Sequence, residues 1–398
     1  MGNRCRNWGR DWLPTECRGT SRSVWGNPPL ACEPFLTGAA MTKFVLAVVA
    51  LCLAPVTQAG TLSVRVERPD WYKTLNQISA WNVVLSGEID AGAPARVAQA
   101  LKQVGNDGAD VYLNSPGGNL LAGMQLGRVL RDAGVSTHVG NLVPDNENKF
   151  AGKAGAKPVP GGCYSACSLA FLGGVYRYVM NGSEYGVHRF SSTVGSTPND
   201  LDTAQVISAA IGNYIKDMDV DPGLFSLMAT QGAEGIRVLT KAELTRFNVA
   251  NNGRKRPEWS IEAIEGGQYL RGVQDTAYGQ GKVVFFCAEH RLLMQSFYQI
   301  GADKARSVAA GGWYHSLMLD DRTEPLPDPV RTKATGIEIA TLFPLTSNQA
   351  MAVASSTRSI GHAMQLSREA PTYVGFQVDV PASATQKVGA FIRNCLRP

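Results

Sequence analysis

Hydrophobic positions follow two alternating periods in the first half of the chain. Two segments carry apolar side chains every three or four residues, as helices with one buried face do: residues 93–104 and 120–133. Three short apolar runs around them are typical of buried strands: residues 81–89, 110–113 and 135–139. The order strand, helix, strand, helix, strand predicts parallel βαβ units with helices covering a sheet.

The pattern weakens at residues 141–162, which are polar and rich in Gly, Lys, Asn and Pro. This stretch is too long for an ordinary connection, so we expect an exposed loop. The apolar spacing beyond it predicts two strands and four helices: residues 175–180 and 185–188, then 166–172, 201–218, 222–230 and 240–247. Thr240 and Glu243 have the spacing of a capping box for the last helix.

A second unit follows a polar break at residues 251–257. We expect four strands and one helix there: residues 282–287, 337–343, 350–354, 372–380 and 384–394. No grouping of nucleophile, base and anion-binding backbone occurs in this part of the sequence. The prediction is a first domain at residues 60–255 and a smaller α+β module at 260–398, serving packing, assembly or partner binding.

Composition narrows the class of protein. A chain of 398 residues with 44% hydrophobic and 18% charged residues is an ordinary globular protein, long enough for two folded units. The net charge of +5 is mild, and Arg254–Arg256 is the densest basic cluster. Nucleic-acid binding is therefore not expected.

A segment at residues 41–59 has the features of a secretory signal peptide. Lys43 precedes an apolar run, and Thr57-Gln58-Ala59 places small residues at both positions that a signal peptidase recognises. The run is too short for a stable membrane anchor. Residues 1–40 are then either a miscalled upstream extension, with translation starting at Met41, or an unusually long leading region. We expect a periplasmic or secreted bacterial protein beginning near Gly60.

Four cysteines remain after the signal segment: Cys163, Cys167, Cys287 and Cys395. An even number in an oxidising compartment permits two disulfides, and three pairings are open. Local pairing of Cys163 with Cys167, and of Cys287 with Cys395, is preferred over four buried thiols. No metal site is expected, because no Cys-x-x-Cys spacing occurs.

Three motifs between residues 111 and 189 carry candidate acyl-transfer chemistry. The first is a strand running into Asn114-Ser-Pro-Gly-Gly118, where Gly117 and Gly118 leave backbone N–H groups open to an oxyanion. The second is Gly161-Gly-Cys-Tyr-Ser-Ala-Cys167, which presents Ser165 as nucleophile or plain helix cap, with the Ala166 N–H as a further donor. Ser168 is a rival nucleophile inside the apolar run. The third is Gly186-Val-His-Arg189, which supplies His188 as a base.

Together these motifs resemble the Clp-type serine peptidases of the ClpP/crotonase superfamily. The similarity covers roughly residues 80–250, and includes Ala122-Gly123 in the helix after the glycine turn and Leu239–Leu244 as a late helix. It implies an α/β fold with a repeated ββα (βαβ) spiral core. In overall character the chain is most similar to uncharacterised secreted members of that superfamily.

The resemblance fails at one position. An aspartate that orients the histidine is expected before the late helix, and Ile236 stands there. The nearby acids Glu234, Asp219 and Asp221 are possible substitutes for it. A Ser–Lys site, as in signal-peptide peptidases of the superfamily, has Lys153, Lys157 or Lys216 as its base, although His188 is better placed.

The expected function is a secreted serine hydrolase, a peptidase that uses a Ser165–His188 dyad and no cofactor. Its substrate is expected to be a peptide or protein, and a homo-oligomer is left open. The alternative is a catalytically inactive binding or assembly protein on the same fold. An acyl-CoA enzyme of the crotonase branch fits poorly with export.

Overall fold

The computed structural model describes residues 60–68, 81–105, 107–150, 153–190, 198–232 and 235–397. The side chains of residues 146–150, 153–154 and 198–201 are not described. The signal segment and the upstream extension predicted from the sequence lie outside the described residues. Glu234 and the side chain of Lys153 also lie outside them.

The first half of the described chain contains ten strands and six helices. The strands are β1 (Ser63–Glu67), β2 (Trp81–Ser86), β3 (Ala109–Asn114), β4 (Ser136–Val139), β5 (Asn141–Phe150), β6 (Lys153–Val159), β7 (Gly162–Tyr164), β8 (Tyr176–Val179), β9 (Glu184–Val187) and β10 (Arg237–Val238). The helices are α1 (Ala93–Val104), α2 (Leu120–Asp132), α3 (Ala166–Leu172), α4 (Pro198–Asp217), α5 (Gly223–Thr230) and α6 (Lys241–Arg246).

A five-stranded sheet of order β1-β2-β3-β4-β8 forms the centre of this half. Strands β2, β3, β4 and β8 are parallel, and β1 pairs antiparallel with β2. Val83 and Val111 are fully buried in neighbouring strands, and Leu126 of α2 is fully buried in the same hydrophobic cluster. The mixed α/β architecture with parallel strands is thus confirmed.

A smaller sheet lies beside the carboxyl end of β3. Its order is β10-β9-β7, with β7 parallel to β9 and β10 antiparallel to it. A bridge between Ser115 and Cys163 joins the end of β3 to β7. This small sheet therefore brings the end of one parallel strand next to the segments that contain Ser165 and His188.

Residues 141–159 form a β-hairpin, so the expected exposed loop is wrong. Strands β5 and β6 pair antiparallel, with an irregularity between Asp145 and Lys149. Leu142 is buried, and its carbonyl accepts a hydrogen bond from Arg65 at 2.6 Å. The sequence of this hairpin does not alternate regularly between apolar and polar residues, so the pattern that predicts a strand is missing.

The second half is an α+β module of ten strands and three helices within the described residues. Its strands are β11 (Glu258–Ile264), β12 (Gly267–Thr276), β13 (Gly279–Ala288), β14 (Arg291–Gln299), β15 (Tyr314–Leu319), β16 (Arg322–Pro325), β17 (Arg331–Thr335), β18 (Glu338–Pro344), β19 (Ser359–Gln365) and β20 (Val374–Asp379). Its helices are α7 (Ala302–Ala310), α8 (Ser347–Ala354) and α9 (Ala382–Cys395). They form two antiparallel sheets, β11-β12-β13-β14-β18-β17 and β16-β15-β19-β20.

The strand predicted at residues 350–354 is wrong, because this segment belongs to helix α8. Thr346 caps the helix, and its hydroxyl accepts a hydrogen bond from the Gln349 N–H while the Gln349 side chain accepts one from the Thr346 N–H. Five apolar-leaning residues are too few to show a helical period, so the capping pair before them was the better signal.

Two hydrophobic clusters fall on either side of residues 251–258. Polar contacts join the two halves: the Tyr176 hydroxyl donates to the Thr276 carbonyl at 2.8 Å, and Arg254 forms an ion pair with Asp379 at 2.6 Å. No helix in the described part of the chain is long and apolar enough to cross a membrane.

Candidate active site

Ser165 lies at a sharp turn between β7 and α3. Its backbone has φ 56° and ψ −123°, an unusual conformation for a residue with a side chain. Such conformations cost on the order of 1–3 kcal/mol and persist only where the surroundings enforce them. Here the Ser165 N–H donates to the Gly186 carbonyl at 3.1 Å, and the Ser165 carbonyl accepts from the Ser168 N–H at 3.0 Å. The turn places the Ser165 side chain at the start of a helix without using it as a cap.

His188 follows β9 directly, and its ring meets Ser165. The His188 Nε2 lies 2.7 Å from the Ser165 Oγ, and its Nδ1 lies 2.9 Å from the Arg189 carbonyl oxygen. A carbonyl only accepts hydrogen bonds, so Nδ1 carries the proton in the neutral ring. That tautomer leaves Nε2 as the acceptor of the serine proton.

Among the described residues, a backbone carbonyl and not a carboxylate holds the His188 ring. Asp219 forms an ion pair with Arg256 at 3.3 Å, and the Asp221 carboxylate accepts from the Gly223 N–H at 2.8 Å. Neither of these two candidate acids therefore orients the histidine. Glu234, the third candidate, lies outside the described residues.

Ile236 lies on the same face of the small sheet as His188. The pairing of Arg237 with Val187 places Ile236 opposite His188 by register. A Cβ added to Gly186, two residues before His188, would lie 2.5 Å from Ile236 Cγ2. An apolar side chain thus occupies the position from which an acid would reach the ring.

Two backbone N–H groups next to Ser165 are open to a developing oxyanion. The N–H of Ala166 is at the first helical position of α3, where no intrahelical acceptor exists. The N–H of Gly118 has no acceptor among the described residues. Gly117 was expected to contribute as well, but its N–H donates to Ser115 Oγ at 3.1 Å. The Gly117 N–H is therefore occupied, and the pair that remains is Gly118 and Ala166.

Glycine is required at position 117 because the glycine turn lies directly against Ser165. Gly117 has φ 109°, and a Cβ there would lie 2.6 Å from Ser165 Cβ and 3.2 Å from the Ala166 nitrogen. A similar constraint applies one turn into α2, where a Cβ on Gly123 would lie 2.5 Å from the Ala166 carbonyl oxygen. Both glycines let α2 and its preceding turn approach the start of α3.

The rival nucleophile and the lysine bases are positioned differently. Ser168 is fully buried, and its hydroxyl donates to the Ser165 carbonyl at 2.6 Å. Lys157 is exposed on β6, and Lys216 is exposed in the last turn of α4. Within the described residues, the hydrogen-bond partner of the Ser165 hydroxyl is His188.

The four cysteines form two disulfides, Cys163–Cys167 and Cys287–Cys395. The first bridge spans the Ser165 turn, and both of its residues are fully buried. The second bridge joins the end of β13 to the end of α9. No cluster of three or more potential metal ligands occurs in the part of the chain that the structure describes.

Tyr164, next to the serine, is engaged away from the dyad. Its hydroxyl donates to the Glu184 carboxylate at 2.5 Å, and this hydrogen bond raises the pKa of the Tyr164 phenol. Tyr164 therefore stays protonated at neutral pH and does not compete with His188 as a base.

A largely apolar cavity of about 520 Å³ lies beside the dyad. It lies between the start of α2, the segment after His188, and helices α4 and α5. Its apolar wall is formed by Leu120, Phe190, Ile207, Ile211, Phe225 and Met228. Arg189 also lines it, so a cation accompanies the apolar surface.

Comparison with known proteins gives structural neighbours only. No protein-family profile and no curated protein matches the chain. ClpP1 from Listeria monocytogenes is similar at 16% identity and a TM-score of 0.31, over 46% of this chain and 93% of that one. A point mutant of ClpP1 from this organism has the same identity, TM-score and share of this chain, with 94% of its own chain covered. A mutant of the 1510-N membrane-bound stomatin-specific protease is 14% identical at a TM-score of 0.30, over 42% of this chain and 75% of that one. The candidate chemistry therefore rests on the geometry of the site.

Proposed function

We propose that the protein is a serine hydrolase, most simply a peptidase, exported to the periplasm or secreted. The observation that carries this proposal is the 2.7 Å hydrogen bond between His188 Nε2 and Ser165 Oγ. It joins a serine held at a strained turn to a histidine whose other nitrogen is fixed by a carbonyl. This arrangement is what activation of a serine by a base requires.

The proposed reaction follows from these contacts. Ser165 Oγ attacks the substrate carbonyl carbon while His188 Nε2 takes the hydroxyl proton. The oxyanion that forms accepts hydrogen bonds from the N–H groups of Gly118 and Ala166. His188 then protonates the leaving amine, and the acyl ester on Ser165 is hydrolysed by a water that His188 deprotonates. No metal or cofactor takes part in this scheme.

The cavity beside the dyad supports a substrate with an apolar side chain. Its wall combines leucine, isoleucine, phenylalanine and methionine side chains, and its volume accommodates one large residue. A peptide or protein segment is the substrate class that presents such a side chain next to an amide carbonyl. We also propose a ClpP/crotonase-type spiral for the first domain, which leaves a homo-oligomer open.

Export is supported by the chemistry of the cysteines. Two disulfides persist in an oxidising compartment and are rare in the cytosol. This agrees with the signal segment expected at residues 41–59. Secretion of a fusion that carries residues 41–59 would test the location directly.

A second candidate function, a catalytically inactive binding or assembly protein, is favoured by one observation. No carboxylate holds His188 Nδ1 in the described part of the chain. A neutral carbonyl orients the ring but stabilises the imidazolium less than a carboxylate would. The two candidates therefore differ in whether Ser165 reacts.

Labelling with a fluorophosphonate probe separates them. The wild-type protein is expected to be labelled at Ser165, and Ser165→Ala to be unlabelled. Ser168→Ala, which removes the rival hydroxyl, is expected to retain labelling. Replacing His188 by Gln should slow labelling by about 10²–10⁴-fold, the usual contribution of a general base. A folded wild-type protein that stays unlabelled contradicts the hydrolase and favours the binding protein.

A further inference from the structure

The nucleophile lies in the middle of a disulfide-closed ring of five residues. Cys163 is on β7, two residues before Ser165, and Cys167 is on α3, two residues after it. Their Cα atoms are 5.2 Å apart, and both residues are fully buried. The bridge thus fixes the last strand residues before the turn relative to the first residues of the helix.

The hydrogen bonds at this turn hold its strand side and its helix side separately. The N–H of Tyr164 donates to the Ser115 carbonyl, and the N–H of Ser165 donates to the Gly186 carbonyl, which ties the strand side to its neighbours. The Ser168 side chain and N–H bind the Ser165 carbonyl, which ties the helix side. Apart from the backbone through Ser165 itself, the disulfide is the covalent link between the two sides.

We propose that the Cys163–Cys167 bridge is a positioning device for Ser165. It keeps the strand and the helix close enough that Ser165 stays at positive φ, with its Oγ on His188 and the Ala166 N–H beside the Gly117–Gly118 turn. Opening the bridge lets the turn relax toward an ordinary conformation and moves the hydroxyl away from its base. This inference rests on the proposed hydrolase function, and makes that function depend on oxidation of the bridge.

The two disulfides differ in what they stabilise. Chain-entropy stabilisation grows with the length of the loop that a bridge closes, and the sequence separations are 4 and 108 residues. The short bridge therefore stabilises the whole fold by roughly half as much as the long bridge by this route. A short, fully buried bridge around a nucleophile is better explained by local geometry.

The test compares two double variants of the full chain. Cys163→Ala/Cys167→Ala removes the short bridge, and Cys287→Ala/Cys395→Ala, the matched control, removes the long one. The second-order rate constant for fluorophosphonate labelling of Ser165 and the melting temperature are measured for each. We expect a fall of about 10- to 100-fold in labelling rate in the first variant, as for a reacting group displaced by about 1 Å. The control should label within twofold of wild type and melt at a lower temperature.

A redox arm separates the bridge from the packing of its sulfur atoms. The Cys287→Ala/Cys395→Ala protein is refolded in reductant, so that the thiols of Cys163 and Cys167 are present but unlinked, as checked by mass spectrometry. Oxidised glutathione then accepts the two electrons, forming the bridge and two molecules of reduced glutathione. Labelling should be slow before this oxidation and recover afterwards.

The possible outcomes distinguish a failure of the hydrolase function from a failure of the positioning role of the bridge. Oxidised wild type that is folded but unlabelled overturns the hydrolase function, and the positioning role with it. Labelling within twofold in the oxidised wild type, the Cys163→Ala/Cys167→Ala variant and the reduced protein overturns the positioning role alone. Labelling that falls only in proportion to the loss of near-ultraviolet circular dichroism makes the bridge a stability element, which also overturns that role.

Discussion

At the scale of single residues, the histidine is the point where this site departs from a full triad. The ring of His188 is set by one carbonyl, that of Arg189, and its partner across the small sheet is Ile236. The side chain of Ile236 is about half exposed. A substitution there is accordingly tolerated sterically and places its new group on the face of the sheet that carries the histidine.

Ile236→Asp is predicted to accelerate fluorophosphonate labelling by about tenfold. A carboxylate opposite His188 would stabilise the imidazolium that forms as Ser165 attacks, although exposure to water makes the gain far smaller than the effect of a buried triad acid. The Ile236→Asn variant is the control, because asparagine has the shape of aspartate and lacks its charge. Equal labelling rates for the Asp and Asn variants would contradict this assignment of the position.

Sequence patterns reveal the side chains that carry out the chemistry, but they do not reveal the backbone groups that assist those side chains. Ser165 and His188 stand out as rare polar residues at the ends of apolar segments, and the structure places them in contact. The hydrogen bond from the Gly117 N–H to Ser115 Oγ and the hydrogen bond of His188 to the Arg189 carbonyl cannot be predicted from the residue types. Every residue has a carbonyl and nearly every residue an N–H, so only the folded chain shows which are free.

At the scale of elements, a buried polar chain joins the two sheets of the second module. Ser296 of β14 lies 2.8 Å from His362 Nδ1 on β19, and His362 Nε2 lies 3.0 Å from His315 Nδ1 on β15. The ring of Phe343 packs edge-on against both histidines. Burial and, to a lesser extent, the neighbouring His315 lower the pKa of His362 to about 3. Burial also lowers the pKa of His315, which Asp328 partly offsets.

The free energy of unfolding is predicted to fall with acid because of His362. The unfolded chain takes up a proton on this residue below its ordinary pKa of 6.5, while the folded protein stays neutral there down to about pH 3. Stability from this residue is therefore present above pH 6.5 and is lost as the pH falls toward 3. Between pH 7 and pH 5 the loss is about 2 kcal/mol, measurable by urea unfolding.

His362→Asn is the control for this pH dependence. It keeps a polar atom near Ser296 and does not titrate, so its unfolding free energy should change less over the same interval. A difference between the two proteins that does not depend on pH would show that His362 has the same pKa in the native and unfolded states, contrary to the prediction.

Helices and strands are predicted correctly from the sequence where apolar and polar positions alternate with a clear period, and are missed where no such period appears. Helix α1 has an apolar stripe and was predicted with its observed bounds. The β5–β6 hairpin has no regular apolar–polar alternation, and the apolar part of α8 is short, so neither element shows its period in the sequence. Local periodicity is informative only when the tertiary environment differs between the two sides of an element.

At the scale of the whole molecule, two hydrophobic clusters share one chain: the first contains both cysteines of the short disulfide, and the second contains Cys395 of the long one. The long bridge joins the end of β13 to α9 and closes a loop that contains every later strand and helix of the second module, while β11 and β12 lie outside it. Each half has its own hydrophobic cluster, and a hydrogen bond from the Tyr176 hydroxyl to the Thr276 carbonyl joins the halves. We therefore expect the two halves to unfold in separate steps.

Cys287→Ala/Cys395→Ala is predicted to lower only one of two calorimetric transitions. Closing a loop of this length stabilises a domain by about 5 kcal/mol in the chain-entropy account. A loss of that size lowers the melting temperature of a module this large by roughly 10 °C or more. The other transition, from the half containing Ser165, should move by no more than about 2 °C. A single transition that shifts as a whole would show that the two halves unfold together.

One buried cation determines where the chain can be divided. Arg177 is 1% exposed, and its guanidinium donates to the carbonyls of Gly174, Met218, Asn248 and Val249. Its backbone N–H binds the Asn251 side chain, and its carbonyl accepts the Asn252 N–H. A fragment that ends before Asn248 would leave that charge without two of these four carbonyls in an apolar interior, and one that ends before Asn252 would still lose the backbone hydrogen bond to the Arg177 carbonyl. Trp259, by contrast, already packs in the second core, so the window for separating the two halves spans only the few residues between them.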